Sequence, residues 1–288
     1  MRLEKSRWGR IVVYSMLAVW GVFTLFPIYW TVITAFKTPN DVYAMTPKFL
    51  PFVDFAPTFD AWIDIFQSGQ GSVEGGRLPY IAKNSLVAAL GSAIGATLLG
   101  SLAAYGLARF RFRRWKNEDI GFFFISQRMF PPIALVVPYF ILFNWLNMLD
   151  KLSTLILIYT AMNTPLVVWL LWDFFRDLPV EIEEAALVDG CSRLGAFFRI
   201  ALPLAAPGIV VAFLFSFVFA WNEFLFALTL TFQEAKTLPF QIAGNVTTRG
   251  PRFWDLAAQG IFVLLPPLLI ALVAGRYIVR GLTLGAVK

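Results

Sequence analysis

The sequence predicts an all-α, polytopic membrane protein with six transmembrane helices and both termini in the cytoplasm. Three observations predict it. The 288 residues are 58% hydrophobic and only 15% charged, whereas soluble domains run about 45–50% apolar and about 25% charged. Six stretches are long and apolar enough to cross a bilayer, which takes roughly 20 residues. Lys and Arg gather on alternate connecting segments, as they do on the cytoplasmic side of membrane proteins.

The predicted spans are residues 11–36, 84–108, 120–146, 154–175, 206–231 and 256–280. The first follows Arg2, Lys5, Arg7 and Arg10, like a secretory signal. Its apolar run exceeds the usual h-region of about 7–15 residues and no small-x-small cleavage site follows, so it reads as a retained anchor. A mixed loop over 37–83 comes next, with Pro39, Pro47, Pro51, Pro57 and a glycine-rich stretch at 69–76. A short interfacial helix is expected over 59–66. Spans three and four are separated only by residues 147–153, a tight hairpin turn. Pro27, Pro131, Pro132, Pro138, Pro165, Pro266 and Pro267 fall inside spans. Proline removes a helix hydrogen bond, and neighbouring protein must satisfy the freed groups. Broken spans suit a protein that encloses a pathway, although proline is common in membrane helices generally.

Orientation follows from the cations. With the N-terminus inside, the inside segments carry its four, then Arg109, Arg111, Arg113, Arg114 and Lys116, then Arg176, Arg193 and Arg199, then Arg276, Arg280 and Lys288. The outside segments carry Lys37, Lys48, Arg77, Lys83, Lys151, Lys236, Arg249 and Arg252. The net charge of +6 therefore reads as membrane orientation rather than affinity for nucleic acid.

Composition also removes function classes. There is no His and a single Cys, Cys191. No Ser-His-Asp triad, His-ligated zinc or H-E-x-x-H helix can form, and no intrachain disulfide. No Gly precedes a Lys, so the chain lacks a phosphate-binding P-loop. No metal or cofactor is expected, and ATP-driven work would need another subunit to bind the nucleotide.

The cytoplasmic connection over about 177–207 carries the most specific pattern. Pro179 suits a first helical turn, and Glu181, Glu183 and Glu184 lie near the positive end of the helix dipole. Ile182, Ala185 and Ala186 repeat at helical spacing, and Gly190 is a natural terminator. Ser192 can cap a second helix through Leu194, Ala196, Phe197, Phe198 and Ile200 toward Pro203. Asp189 and Arg193 flank the turn at pairing distance in sequence. The expected product is a helix–turn–helix knob.

The string from Glu183 to Pro207, EEAALVDGCSRLGAFFRIALPLAAP, resembles the EAA loop of ABC-importer permeases, roughly EAA-x-x-x-G-(x)9-I-x-LP. Glu184, Ala185, Ala186, Gly190, Ile200, Leu202 and Pro203 match it in place, and Asp189, Phe197 and Pro207 fit the fuller form common in sugar importers. The likeness extends over the chain, through Asn84-Ser85-Leu86, residues 127–132 (QRMFPP), residues 221–224 (WNEF) and the C-terminal residues 280–288. It is similar to the smaller permease of the carbohydrate-uptake group that includes the maltose and glycerol-phosphate importers.

The resemblance implies a type I ABC importer permease fold, one transmembrane domain over 1–288, in a bacterial or archaeal plasma membrane. It implies that the loop docks on an ATPase subunit, and that the tail Gly285, Ala286, Val287 and Lys288 reaches the ATPase dimer. A frayed basic end is the plainer reading of that tail. Implied partners are two ATPase subunits, a second related permease and an extracytoplasmic solute-binding protein. The implied solute is a sugar, oligosaccharide or polyol, and no covalent chemistry occurs in this chain.

Ionisable groups inside spans are costly and mark candidate functional positions. Arg128, beside Pro131 and Pro132, has several readings: lining a polar cavity, contacting solute, pairing with Glu223, or binding carbonyls freed by the prolines. Asn163 with Thr164, and Asn222 with Glu223, are candidates for sugar hydroxyls, and Trp221 for stacking on a sugar ring. Three rivals stand beside this reading. One is an ABC permease for a non-carbohydrate solute, the others a secondary transporter and a membrane enzyme. The last lacks clustered acids, His or Cys, and a secondary transporter has no use for an EAA loop.

Overall fold

The structure is a computed structural model that describes residues 7–67, 78–243, 246–247 and 250–284. It is almost wholly helical, with one antiparallel pair of two-residue strands, β1 (Val246–Thr247) and β2 (Gly250–Pro251). Among the described residues four helices are long and apolar enough to cross a membrane, and up to six spans result if each of two bent helix pairs counts as one. The chain divides into two compact units.

The first unit comprises residues 1–77 and 242–264. It holds α1 (Arg7–Thr34), α2 (Pro39–Val42), α3 (Asp60–Gln67), the strand pair and the opening of α14 (Phe253–Leu284). Most of α1 is apolar and uncovered, as expected of a helix that meets lipid. The predicted helix over 59–66 is present as α3. Thr38 and Asp41 form a reciprocal capping box at α2, which satisfies two otherwise orphaned groups. The small core is Ala35, Ala61, Ala257 and Ala258 under Phe36, Trp62 and Trp254.

The second unit comprises residues 78–241 and 265–288. Its centre is the packing of α4 (Leu78–Arg109) on α7 (Leu152–Asp177), with α11 (Ala206–Trp221) against both. The buried face of α4 carries Ser92, Ala96, Gly100 and Ala104 at four-residue spacing. Small residues let helix backbones approach closely where lipid removes the hydrophobic drive. Gly100 shows why: a Cβ there would meet Val167 Cγ1 at 2.5 Å.

The third predicted span is not one rod. Helix α5 (Asn117–Ser126) and a 3₁₀ turn (Gln127–Met129) meet α6 (Pro132–Trp145) at 89°. The cause is Pro131-Pro132, since neither residue donates a backbone N–H and Phe130 is forced into extended conformation. The fifth predicted span is interrupted as well. Helix α11 ends at Trp221, and α12 (Leu225–Leu230) restarts after Asn222-Glu223-Phe224. The hairpin at 147–153 is a turn in which Asn147 and Asp150 take φ of 54° and 57°, a left-handed conformation in which Asn and Asp are enriched among non-glycine residues. Asp150 closes it by accepting from the backbone N–H groups of Phe232, Gln233, Glu234 and Ala235 at 2.9–3.1 Å.

Candidate functional site

The 177–207 connection folds as two helices joined at a glycine. Helix α8 (Val180–Val188) starts directly after Pro179. Gly190 has φ +87°, a left-handed conformation that L side chains adopt only at a cost. Cys191 N–H donates to Ala186 O, and Gly190 N–H to Leu187 O, closing the helix end. Ser192 then caps α9 (Arg193–Ala196), its Oγ accepting from Gly195 N–H at 3.1 Å. The second helix widens into a π-turn over Phe197–Ala201 before α10 (Leu202–Leu204). Segment 193–204 meets α11 at an 80° bend. Asp189 and Arg193 form no ion pair among the described residues. Arg193 instead faces the Phe110 ring at 5.1 Å.

The residues of the EAA pattern divide by face. Glu184, Ala185, Asp189, Gly190 and Pro203 are exposed, Ile200 and Leu202 half-buried, and Ala186 buried. Ile182, Leu187, Val188, Leu194 and Phe198 add uncovered apolar surface. This knob therefore presents an apolar patch with an acidic edge, the composition of a protein docking surface.

What holds the knob is a cluster absent from the sequence expectations. Glu183, the acid one residue before the EAA pattern, is turned inward and buried. Its Oε1 accepts from Arg109 Nη2 at 2.9 Å and Nε at 3.0 Å, and its Oε2 from Tyr105 Oη–H at 2.7 Å. Arg109 Nη2 also donates to Leu178 O at 3.1 Å. Phe197 packs on the Tyr105 and Phe175 rings. The knob is thus fixed to the ends of α4 and α7 by charge-assisted hydrogen bonds and aromatic packing. The available signal was Ala186, three residues on from Glu183 and so on the same helical face.

A cavity of about 230 Å³ lies among the broken helices, lined by Arg128, Tyr159, Met162, Asn163, Phe219 and Glu223 with four apolar or proline neighbours. Arg128 Nη1 donates to Met162 O at 3.2 Å and Asn163 Oδ1 at 3.3 Å, and its guanidinium sits 4.6 Å from the Phe219 ring. Glu223 accepts from Tyr159 Oη–H at 2.7 Å and from the N–H groups of Phe226 and Ala227 that open α12. So Arg128, Asn163 and Glu223 share one cavity, yet Arg128 and Glu223 are not ion-paired there. Each is satisfied separately, and Arg128 binds α7 rather than carbonyls next to its own prolines. Trp221 and Asn222 do not line this cavity. Trp221 is buried and stacked on Phe217 at 5.7 Å, and the Asn222 amide donates back to Val218 O at 2.8 Å. Thr164 bonds Thr160 O within its own helix. The tail Gly285, Ala286, Val287 and Lys288 lies outside the described residues.

Several apolar helices, two of them broken around a cavity that holds Arg128, Asn163 and Glu223, and an exposed helix–turn–helix knob on a connecting segment accord with a membrane transport subunit. The family model of the binding-protein-dependent transport system inner membrane component matches residues 96–284. The chain belongs to that family. The inner membrane ABC transporter permease protein YcjP of Escherichia coli (strain K12) is 33% identical over 100% of both chains. The trehalose/maltose transport system permease protein MalG of Thermococcus litoralis is 32% identical, covering 97% of each. The fold matches a bacterial ABC transporter involved in import of the acidic polysaccharide alginate, with TM-score 0.74 over 95% of this chain and 98% of that one, at 20% identity.

Proposed function

We propose that this chain is the permease through which an ATP-driven importer moves a sugar, oligosaccharide or polyol across the plasma membrane by alternating access. It forms one permease domain of six spans, with α5 and α6 making the third and α11 and α12 the fifth, and with both termini cytoplasmic. The knob made by α8 and α9 receives an ATPase subunit through Glu184, Ala185, Asp189 and Gly190. The half-buried Ile200 and Leu202, with Pro203, pass its movement to α11. The observation that carries this reading is the attachment of the knob: the Arg109–Glu183–Tyr105 cluster ties it to the end of α4, so displacement of the knob displaces a span. The cation distribution supports the orientation, and the missing P-loop supports a separate ATPase.

In this reading the partners are two ATPase subunits, a second related permease and an extracytoplasmic solute-binding protein that meets the 37–83 loop. The tail 285–288 contacts the ATPase dimer. The cavity around Arg128, Asn163 and Glu223 is a stretch of the solute path. Trp221 and Asn222 support the break between α11 and α12 from outside that cavity. The chain catalyses no reaction itself. Carbohydrate solutes accord with the trehalose/maltose and alginate transport of the relatives. Uptake of labelled trehalose and related sugars by vesicles carrying the assembled transporter tests the proposal: ATP-dependent accumulation is expected, and ATP-independent equilibration would refute it.

A further inference from the structure

A second cavity, about 460 Å³, opens where α4 and α7 end and α5 begins. It does not belong to the knob or to the cavity around Arg128. Its walls carry Arg109, Arg111, Lys116 and Arg176 against one acid, Glu118. Arg109 is committed to Glu183. Arg111 and Lys116 form no ion pair among the described residues, and Arg176 has a long, exposed contact with Asp173 at 3.8 Å and lies 5.6 Å from the Trp172 ring. The frame is built rather than accidental. Asn117, another wall residue, donates to both Leu107 O and Phe110 O at 2.6 Å and accepts from Phe112 N–H, which ties the 110–116 loop to the end of α4. Trp172 is also a wall, and its indole N–H is buried with no hydrogen-bond partner among the described residues.

Arg111, Lys116 and Arg176, none of them held in a close ion pair, call for an anion with several acceptor oxygens, which is the chemistry of a phosphate ester. The surroundings identify its source. The loop reads Arg109-Phe-Arg-Phe-Arg-Arg-Trp-Lys116, cations alternating with Phe112 and Trp115, both exposed. Aromatic and basic residues interleaved in this way mark the membrane–water boundary. Phe122 and Phe123 on α5 are 67% and 59% exposed, and offer apolar surface to acyl chains beside the cavity. We propose that this cavity binds the phosphate headgroup of an anionic membrane lipid through Arg111, Lys116 and Arg176, tethering the moving ends of α4, α5 and α7 to the leaflet. On the orientation proposed above this is the cytoplasmic leaflet, whose anionic lipids attract such cations.

The test titrates short-chain phosphatidylglycerol into the assembled, detergent-solubilised transporter and counts bound lipid by native mass spectrometry. Phosphatidylcholine and inorganic phosphate serve as the other probes. Detergent exposes both faces, so the result does not depend on orientation or on transport. Saturable binding of phosphatidylglycerol is expected, with phosphatidylcholine binding weakly and millimolar phosphate failing to displace it. Neutralising the three exposed cations together (R111Q, K116Q and R176Q) should weaken binding about a hundredfold, at roughly fivefold per charge. Equal binding to the triple variant, or equal binding of phosphatidylcholine, would overturn the site. Displacement by inorganic phosphate would assign it to a soluble anion and overturn the lipid.

Discussion

Arg109 and Glu183 meet at 2.9 Å with their side chains only 8% and 7% exposed, although 74 residues separate them in sequence. One is the last residue of α4, the other sits in the first turns of the knob made by α8 and α9. With Tyr105 on the second carboxylate oxygen, neither charge faces water, so the pair acts as a rigid pin between the two elements.

The pin predicts a particular pattern of damage. Removing one partner of a buried pair leaves an uncompensated charge, at about 3–5 kcal/mol. Arg109→Met and Glu183→Leu should each lower the thermal stability of the purified permease. The double variant should recover much of that stability, since an apolar pair replaces an ionic one. Its ATP-driven uptake should remain lower than wild type, because Phe197 packing alone must then carry the knob's motion. A double variant no more stable than either single one would contradict the pairing energetics.

Gly190 separates conformational from docking effects. A Cβ at this position meets nothing within 4 Å, so Gly190→Ala suffers only the left-handed backbone cost of about 1–2 kcal/mol. A small stability loss with uptake largely preserved is expected from thermal unfolding and vesicle assays. Gly190→Asp adds a charge to the exposed docking face and should abolish coupling at a similar stability. Equal uptake by the two variants would show that the exposed face of Gly190 is not an interface.

Arg128→Gln keeps a donor toward Met162 and Asn163 while removing the charge above Phe219. The variant should fold and assemble, with solute uptake altered in KM more than in ATPase rate. Competition among sugars in vesicles checks this. An Arg128→Gln variant that expresses poorly, rescued by Arg128→Lys with unchanged uptake, would assign Arg128 to holding α7 alone.

Asp150 predicts an acid-sensitive corner. Burial pushes its carboxyl up, but the N–H groups of Glu234, Phe232, Ala235 and Gln233 together pull it below the ordinary carboxylate value. A carboxylate with a depressed folded value stabilises fully above its unfolded value, near 4, and loses that contribution as pH falls through the lower folded one. Amide exchange at residues 232–235 should therefore quicken as pH drops below about 4, relative to the intrinsic rate, and Asp150→Asn should show the quick exchange already at neutral pH. Exchange that is unaffected by the substitution would remove Asp150 as the clasp.

The helices and the knob were legible because their signals are local. Pro179, Gly190 and Ser192 each act on the backbone within a turn, and the structure places α8, the left-handed glycine and the second cap where those residues require. Apolar length likewise marked the four long helices α1, α4, α7 and α14. The right-angle bend at Pro131-Pro132 was legible as a break but not as an angle, because the angle depends on what α6 packs against. Side-chain partners were the least legible. Arg128 and Glu223 look complementary in sequence, yet each finds a nearer partner in Asn163 and Tyr159. Asp189 and Arg193 flank one turn, yet Arg193 finds its partner in the Phe110 ring. Glu183 stood beside Glu181 and Glu184 as one of three similar acids, and only the helical face shared with Ala186 distinguishes it.

The claim that the knob couples an ATPase to transport is tested most directly by Glu184→Lys, an exposed change that leaves the Glu183 pin intact. Uptake and ATP hydrolysis should be measured together in vesicles carrying the full transporter. The expected result is a stably inserted permease that loses ATPase binding or hydrolyses ATP without accumulating solute. Wild-type uptake with wild-type ATPase binding would contradict the account.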